Sequence, residues 1–165
     1  GGVHFDRTQR NLDLLSFLTQ QEVGEVYAVS SNQILGTRSK LDVPEDLVST
    51  VTLDHAGPSF QLYDSFLTPH IASSVEIFGS NGCAVATDWF DANKPTSLAV
   101  IRYRQQKPIV TPHVDPYTAT VEAFTAAIHS GSRLLATGDD GRYALGVTLA
   151  VQESFAKHRP ITLRR

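Results

Sequence analysis

The sequence contains no methionine and a single cysteine, Cys83, in 165 residues. One cysteine excludes an internal disulfide framework and any zinc site built from cysteines. No apolar run approaches the roughly 20 residues that a membrane-crossing helix needs. No basic-then-apolar leader opens the chain. Charge of either sign is in short supply: 14 Lys and Arg stand against 17 Asp and Glu, for a formal net charge of −3. Phosphate backbones are held by clustered Lys and Arg, and here the basic stretches, Arg102/Arg104/Lys107 and Lys157–Arg165, are short. Glycine-rich phosphate loops, Gly-x-Ser-x-Gly and His-Glu-x-x-His are all missing. These absences predict a cytoplasmic protein with no nucleic-acid and no membrane partner. The Gly-Gly start, with no initiator, suits a fragment or a processed product.

What is there suffices for one compact core. At 41% hydrophobic, a chain of this length can bury roughly two thirds of its unfolded surface, and residues 1–165 read as one α+β domain. Leu12, Leu15 and Leu18 recur at helical spacing over Asp6–Leu18, with Asp6 and Thr8 as candidate N-caps. Glu22–Val29 reads as a strand, and Ser30–Glu45 as a polar, mobile loop. From Leu47 to Tyr103 the period is two, giving strands at Val48–Asp54, Phe60–Leu67, Ser74–Phe78, Cys83–Thr87 and Leu98–Tyr103. The breaks between them are turn chemistry: His55-Ala-Gly-Pro58, Gly79-Ser-Asn-Gly82 and Asp91-Ala-Asn-Lys-Pro95. Such short gaps force antiparallel pairing, because a parallel crossover needs about a dozen residues. Val121, Phe124, Ala127 and Ile128 mark a helix stopped at Ser130-Gly131. Ala144, Val147, Val151 and Phe155 mark another from about Asp140, with Asp139/Asp140 at its start and Pro160 after its end. Ile161–Leu163 reads as a last short strand. The sum is an open, mostly antiparallel sheet with helices packed on one face.

Few residues carry chemistry. The six histidines share no metal-ligand spacing, and no metal is expected. Cys83, in Gly-Cys-Ala-Val-Ala, suits a small buried hydrophobe better than a nucleophile. His4, ahead of a helix and beside Gly1-Gly2, is the one position that stands out, and a frayed terminus competes with a site there.

The ordered motifs resemble the C-terminal domain of the glucose-fructose oxidoreductase / inositol dehydrogenase / rhizopine-catabolism family. They are Tyr117-Thr-Ala-Thr-Val-Glu-Ala-Phe124, Ala127-Ile-His-Ser-Gly131, Thr137-Gly-Asp-Asp-Gly141, Ala144-Leu145 and Gln152-Glu-Ser154. Pro44-Glu-Asp46, Val75-Glu-Ile-Phe-Gly79 with Asn81-Gly82, and Gly2-Val-His4 ahead of Leu14–Leu18 fit as well. The resemblance implies an α+β half without its Rossmann domain. NAD or NADP is then implied for the full-length protein and no cofactor for this chain, since the pyrophosphate needs a Gly-rich turn and a helix start after a parallel strand. The isolated chain is expected to be inactive.

The family's Asp-x-Gly-x-His motif aligns its glycine with Gly2 and its histidine with His4, which then acts as acid/base at the substrate hydroxyl. The family aspartate three residues after the histidine is Arg7 here, with Asp6 one position earlier. Tyr117 is implied to line the substrate pocket, although packing serves it equally. His113 and Asp115 would face the same cleft. A sugar or polyol is the implied substrate, and the open sheet face is expected to pack a homo-oligomer. A freestanding, non-catalytic binding or assembly module of the same fold is the alternative. A metal-dependent hydrolase ranks third.

Overall fold

A computed structural model describes residues 1–32, 43–54, 57–89, 95–134 and 136–163. Most of the 30–45 loop, His55 and the 91–94 part of the Asp91–Pro95 break lie outside them. The chain divides into two compact units: Gly1–Thr68 with Ala136–Arg165, and Pro69–Leu135.

The first unit opens with a π-helical turn, His4–Thr8, that runs into α1 (Gln9–Thr19). Neither Asp6 nor Thr8 caps it through a side chain, which corrects the expected N-caps; Thr8 is turned inward instead. Helix α1 ends at Gln20, whose φ of 54° breaks the repeat. Strands β1 (Val23–Ser31), β2 (Asp46–Leu53) and β3 (Ser59–Ser65), with a two-residue β8 (Ile161–Thr162), pair antiparallel in the order β3-β2-β1-β8. One face is apolar by alternation. Val26 and Ala28 from β1, and Leu47, Val51 and Leu53 from β2, point into the core beside Val3, Leu12 and Leu15.

The last helix, α3 (Gly138–Lys157), covers that face with Val147, Ala150 and Val151. Its N-cap is Thr137 rather than Asp139 or Asp140. Thr137 and Asp140 form a reciprocal capping box, in which Thr137 N–H and Oγ1 both reach Asp140 Oδ2 at 2.7 Å. Asp139 and Asp140 fall in the first turn, where negative charge suits the helix dipole.

The second unit is a four-stranded antiparallel meander: β4 (Ser74–Gly79), β5 (Gly82–Thr87), β6 (Ser97–Arg102) and β7 (Gln105–Ile109). It also holds α2 (Pro116–Ser130). Strand β7, Gln-Gln-Lys-Pro-Ile, is not foreshadowed by period-two apolarity. It is an exposed edge strand, where a proline is tolerated. The α+β class and the antiparallel pairing are as expected, with the strands shared between two sheets. Among the described residues, no helix is long and apolar enough to cross a membrane.

Gly82, after the Ser80–Asn81 turn, has φ +139°, and a Cβ there would stand 2.4 Å from the Ile101 carbonyl oxygen. Gly82→Ala is therefore expected to lower stability by about 1–3 kcal/mol, read as a shifted urea midpoint. Gly138→Ala, where a Cβ would meet nothing within 4 Å, serves as the neutral control.

Candidate functional site

Two places hold the residues that the sequence nominates, one in each unit. The first is the N-terminal turn. Val3 N–H donates to the Pro44 carbonyl at 2.9 Å, and the Gly2 carbonyl accepts from Phe5 and Asp6. Gly2 sits at φ +114°, and a Cβ there would lie 3.0 Å from His4 Cε1, His4 Nδ1 and Pro44 Cδ. The His4 ring thus closes against the glycine backbone. It is buried, stacks edge-on to Phe155 at 5.4 Å and leans on Phe5 at 4.2 Å. Neither ring nitrogen has a hydrogen-bond partner.

Desolvation by burial is the main cause that lowers the His4 pKa from 6.5 to about 4. The ring is therefore neutral at pH 7 and closed to solvent. An acid/base at a substrate hydroxyl must come within hydrogen-bond reach of it, and in this conformation His4 reaches no solvent-facing group.

Behind the turn lies a buried carboxyl that the sequence reading missed. Thr8 Oγ1 donates to Asp64 Oδ2 at 2.7 Å, and Asn11 Nδ2 donates to Oδ1 at 2.6 Å. Burial raises the Asp64 pKa, against the opposing pull of Thr8, the Arg7 charge and Asn11. The Arg7 guanidinium lies 5.5 Å above the Phe66 ring. A signal for Asp64 was available: it shares strand parity with Phe60 and Leu62, so an acid stands on the apolar face of β3. On the outer side of the same helical segment, Asp6, Arg10 and Asp13 are exposed, and Arg10 pairs with Asp6 at 3.9 Å. Such a surface pair contributes little to stability.

The second place is the entry to α2. Asp115 is its N-cap, accepting from the Tyr117 and Thr118 N–H groups at 3.2 Å and from the Thr118 hydroxyl. The Thr118 hydroxyl bond, then the backbone bonds, hold its carboxyl below the usual range. Any ligand at Asp115 competes with the cap. His113 and Tyr117 are exposed. His113, Asp115 and Tyr117 therefore share one short segment of the second unit, while His4 belongs to the first.

The residues do not fit a dinucleotide. Among the described residues every strand pairing is antiparallel, so no strand–turn–helix cradle for a pyrophosphate forms. The start of α3 carries Asp139 and Asp140, whose charge repels phosphate. No group of three His, Cys, Asp or Glu that could hold a metal ion occurs among the described residues.

The layout is that of the α+β C-terminal domain of a dehydrogenase. No family model matches the chain. Among curated proteins it is 27% identical to the 1,5-anhydro-D-fructose reductase of Ensifer adhaerens, over 94% of this chain and 46% of the reductase. It is 25% identical to the inositol 2-dehydrogenase of Rhizobium meliloti, over 99% of this chain and 50% of the dehydrogenase. Among solved structures, the aldose-aldose oxidoreductase of Caulobacter crescentus, complexed with glycerol, superposes with a TM-score of 0.82. That match covers 94% of this chain and 45% of the other; at 16% identity it shows the fold. The chain is thus related to the glucose-fructose oxidoreductase / inositol dehydrogenase / rhizopine-catabolism oxidoreductases, in agreement with the sequence motifs. It spans about half the length of the curated relatives it matches.

Because the folded His4 pKa lies below the unfolded one, the native state binds fewer protons, and stability is lost as pH falls below 6.5. The loss approaches about 3 kcal/mol near pH 4. Asp64, with a raised pKa, acts in the opposite sense: its contribution is present at acid pH and lost as pH rises. Denaturant curves of the wild type and His4→Phe between pH 7 and 4 isolate the histidine, and the gap between them should shift toward the variant on acidification. A constant gap counts against a buried neutral ring. Thr8→Val should cost about 1–3 kcal/mol, more at pH 7 than at pH 4, because it strips a donor from the charged carboxylate.

Proposed function

We propose that the chain is the substrate-binding and oligomerisation domain of an NAD(P)-dependent oxidoreductase acting on a sugar, a cyclitol or a related polyol. The cofactor-binding domain lies outside these residues. One observation carries this reading: nearly the whole chain aligns with about half of the length of a sugar reductase and a cyclitol dehydrogenase. The substrate groups named for those proteins, an anhydrofructose and an inositol, share a run of hydroxyls.

The acid/base motif has a second frame in this chain. Asp6-Arg7-Thr8-Gln9-Arg10, followed by Asp13 three residues on, repeats the spacing of Asp-x-Gly-x-His with its trailing aspartate. Threonine then replaces the glycine and arginine the histidine. Two features support this frame over the one through His4. Its charged members are exposed while His4 is buried. It also supplies an acid at the position where the first frame has Arg7. Arg10 in the place of histidine changes the chemistry, because a guanidinium stays charged and exchanges no proton at neutral pH. It can orient a hydroxyl or carboxylate and stabilise negative charge on oxygen. The same substitution favours the second reading, a binding module of this fold without redox chemistry.

Oligomerisation is assigned to the outward face of the β3-β2-β1-β8 sheet. Val29 lies opposite Val48, and Val48 opposite Tyr63, a cross-strand row with Tyr27 beside it. All four side chains are exposed. Exposed apolar surface of this kind marks interfaces.

The test is the full-length protein assayed with NAD and NADP against aldoses and inositols. Turnover is expected, with His4→Phe within about twofold of wild type and Arg10→Ala lower in kcat/KM by roughly 10- to 100-fold, as for a lost charged hydrogen bond. Sugar binding without turnover for either cofactor replaces the oxidoreductase reading with the module. For the interface, Val48→Lys should turn a dimeric chain into a monomer in sedimentation; a wild type already monomeric at micromolar concentration removes the assignment.

A further inference from the structure

The segment that carries Asp6 and Arg10 changes helix type between them. Asp6 lies in the π-helical turn, Arg10 in the first turn of α1, and at the junction the Gln9 N–H reaches back five residues to the His4 carbonyl. Wide turns of this kind seldom form on propensity alone, and no side chain caps either helical piece. The hold comes from the end of β3. Asp64 Oδ2 accepts from the Thr8 hydroxyl, in the turn, at 2.7 Å, and Asp64 Oδ1 accepts from Asn11 Nδ2, in α1, at 2.6 Å. One buried carboxyl thus ties both sides of the junction to one strand, and its two partners flank Arg10 in the chain. Arg7 adds a third tie, with its guanidinium 5.5 Å above Phe66, the residue after β3. On the outer side Asp6 and Arg10 are exposed and stand 3.9 Å apart. A surface pair of that kind is too weak to set its own geometry.

We propose that Asp64 is a positioning residue: by joining Thr8 to Asn11 it fixes the register of the junction, and with it the placement of the Arg10 guanidinium beside the Asp6 carboxylate. The inference rests on the oxidoreductase reading above, in which Arg10 orients a substrate oxygen, and deepens it. The chemistry of the tie selects a carboxylate. An ionised carboxyl offers two acceptor oxygens and no donor, so the hydroxyl and the amide N–H each find a partner. An asparagine at the same place keeps one acceptor and turns an NH2 group toward the other donor, so one of the two bonds is lost. The side of the junction left unbonded is then free to shift against the other, and the pair on the outer surface shifts with it.

Asp64→Asn in the full-length protein tests this in two ways. By hydrogen exchange, the amides of residues 9–12 are expected to exchange about tenfold faster than in the wild type. With glucose and myo-inositol as probes and either NAD or NADP, kcat/KM should fall about tenfold, as for one lost hydrogen bond to a charged group. The loss should divide between kcat and KM as it does in Arg10→Ala, whereas a smaller folded fraction lowers kcat alone. Added to Arg10→Ala, Asp64→Asn should cost no more than about a further twofold, because its effect passes through Arg10. Unchanged exchange overturns the proposal and leaves the oxidoreductase reading standing. A further tenfold loss on top of Arg10→Ala overturns it as well, since Asp64 then acts through other groups. An Arg10→Ala enzyme as active as the wild type, or a wild type inert toward both probes, refutes the reading beneath the proposal and the proposal with it.

Discussion

The first unit depends on how β1 is closed on its open side. Strand β1 is covered on one edge by β2 along its whole length, but β8 covers the other edge only at Glu25 and Val26. A buried N–H without a partner is costly, and helix α3 meets that need at both ends. Val23 N–H donates to Tyr143 Oη at 2.6 Å, and Ala28 N–H donates to Ser154 Oγ at 3.0 Å. Between these two clamps, Val147 and Val151 share the core with Val26. Ser154 also donates to the Arg159 carbonyl at 2.7 Å, so the residue that fixes the helix to the strand also fixes the turn that leads into β8. The position of Phe155, and through it the surroundings of His4, follows from that clamp.

The N-terminal turn shows the same economy with less comfort. Its π geometry places Thr8 inward, where the hydroxyl meets Asp64. A wider turn of this type is uncommon and often marks a functional segment. Here it has two results: a carboxyl enclosed by Thr8 and Asn11, and an imidazole enclosed without partners. The carboxyl tolerates burial because both oxygens are bonded. The imidazole tolerates it by giving up its charge.

Periodicity and turn chemistry made most elements legible. The period-two runs, the Ser130-Gly131 stop and the leucine spacing of α1 each match an observed element, with ends displaced by up to three residues. Failures have distinct physical origins. Caps are fixed by which hydroxyl finds a free N–H, and Thr8 had a better partner 56 residues away than any in its own helix. Strand β7 is polar because an edge strand with both faces exposed has no apolar face to display. The division into two sheets leaves no trace in local pattern, since alternation specifies faces and not neighbours.

The site was harder to read, for a reason specific to this sequence. Gly-x-His at positions 2–4 and Asp-x-x-x-Arg at positions 6–10 both satisfy part of one motif, and spacing alone favours the frame that contains a histidine. Burial separates them. The Gly2–His4 frame puts its imidazole against Phe5 and Phe155, whereas the Asp6–Arg10 frame puts its charges on the outer surface of the helix. A motif match records residue types, and proton transfer also demands access.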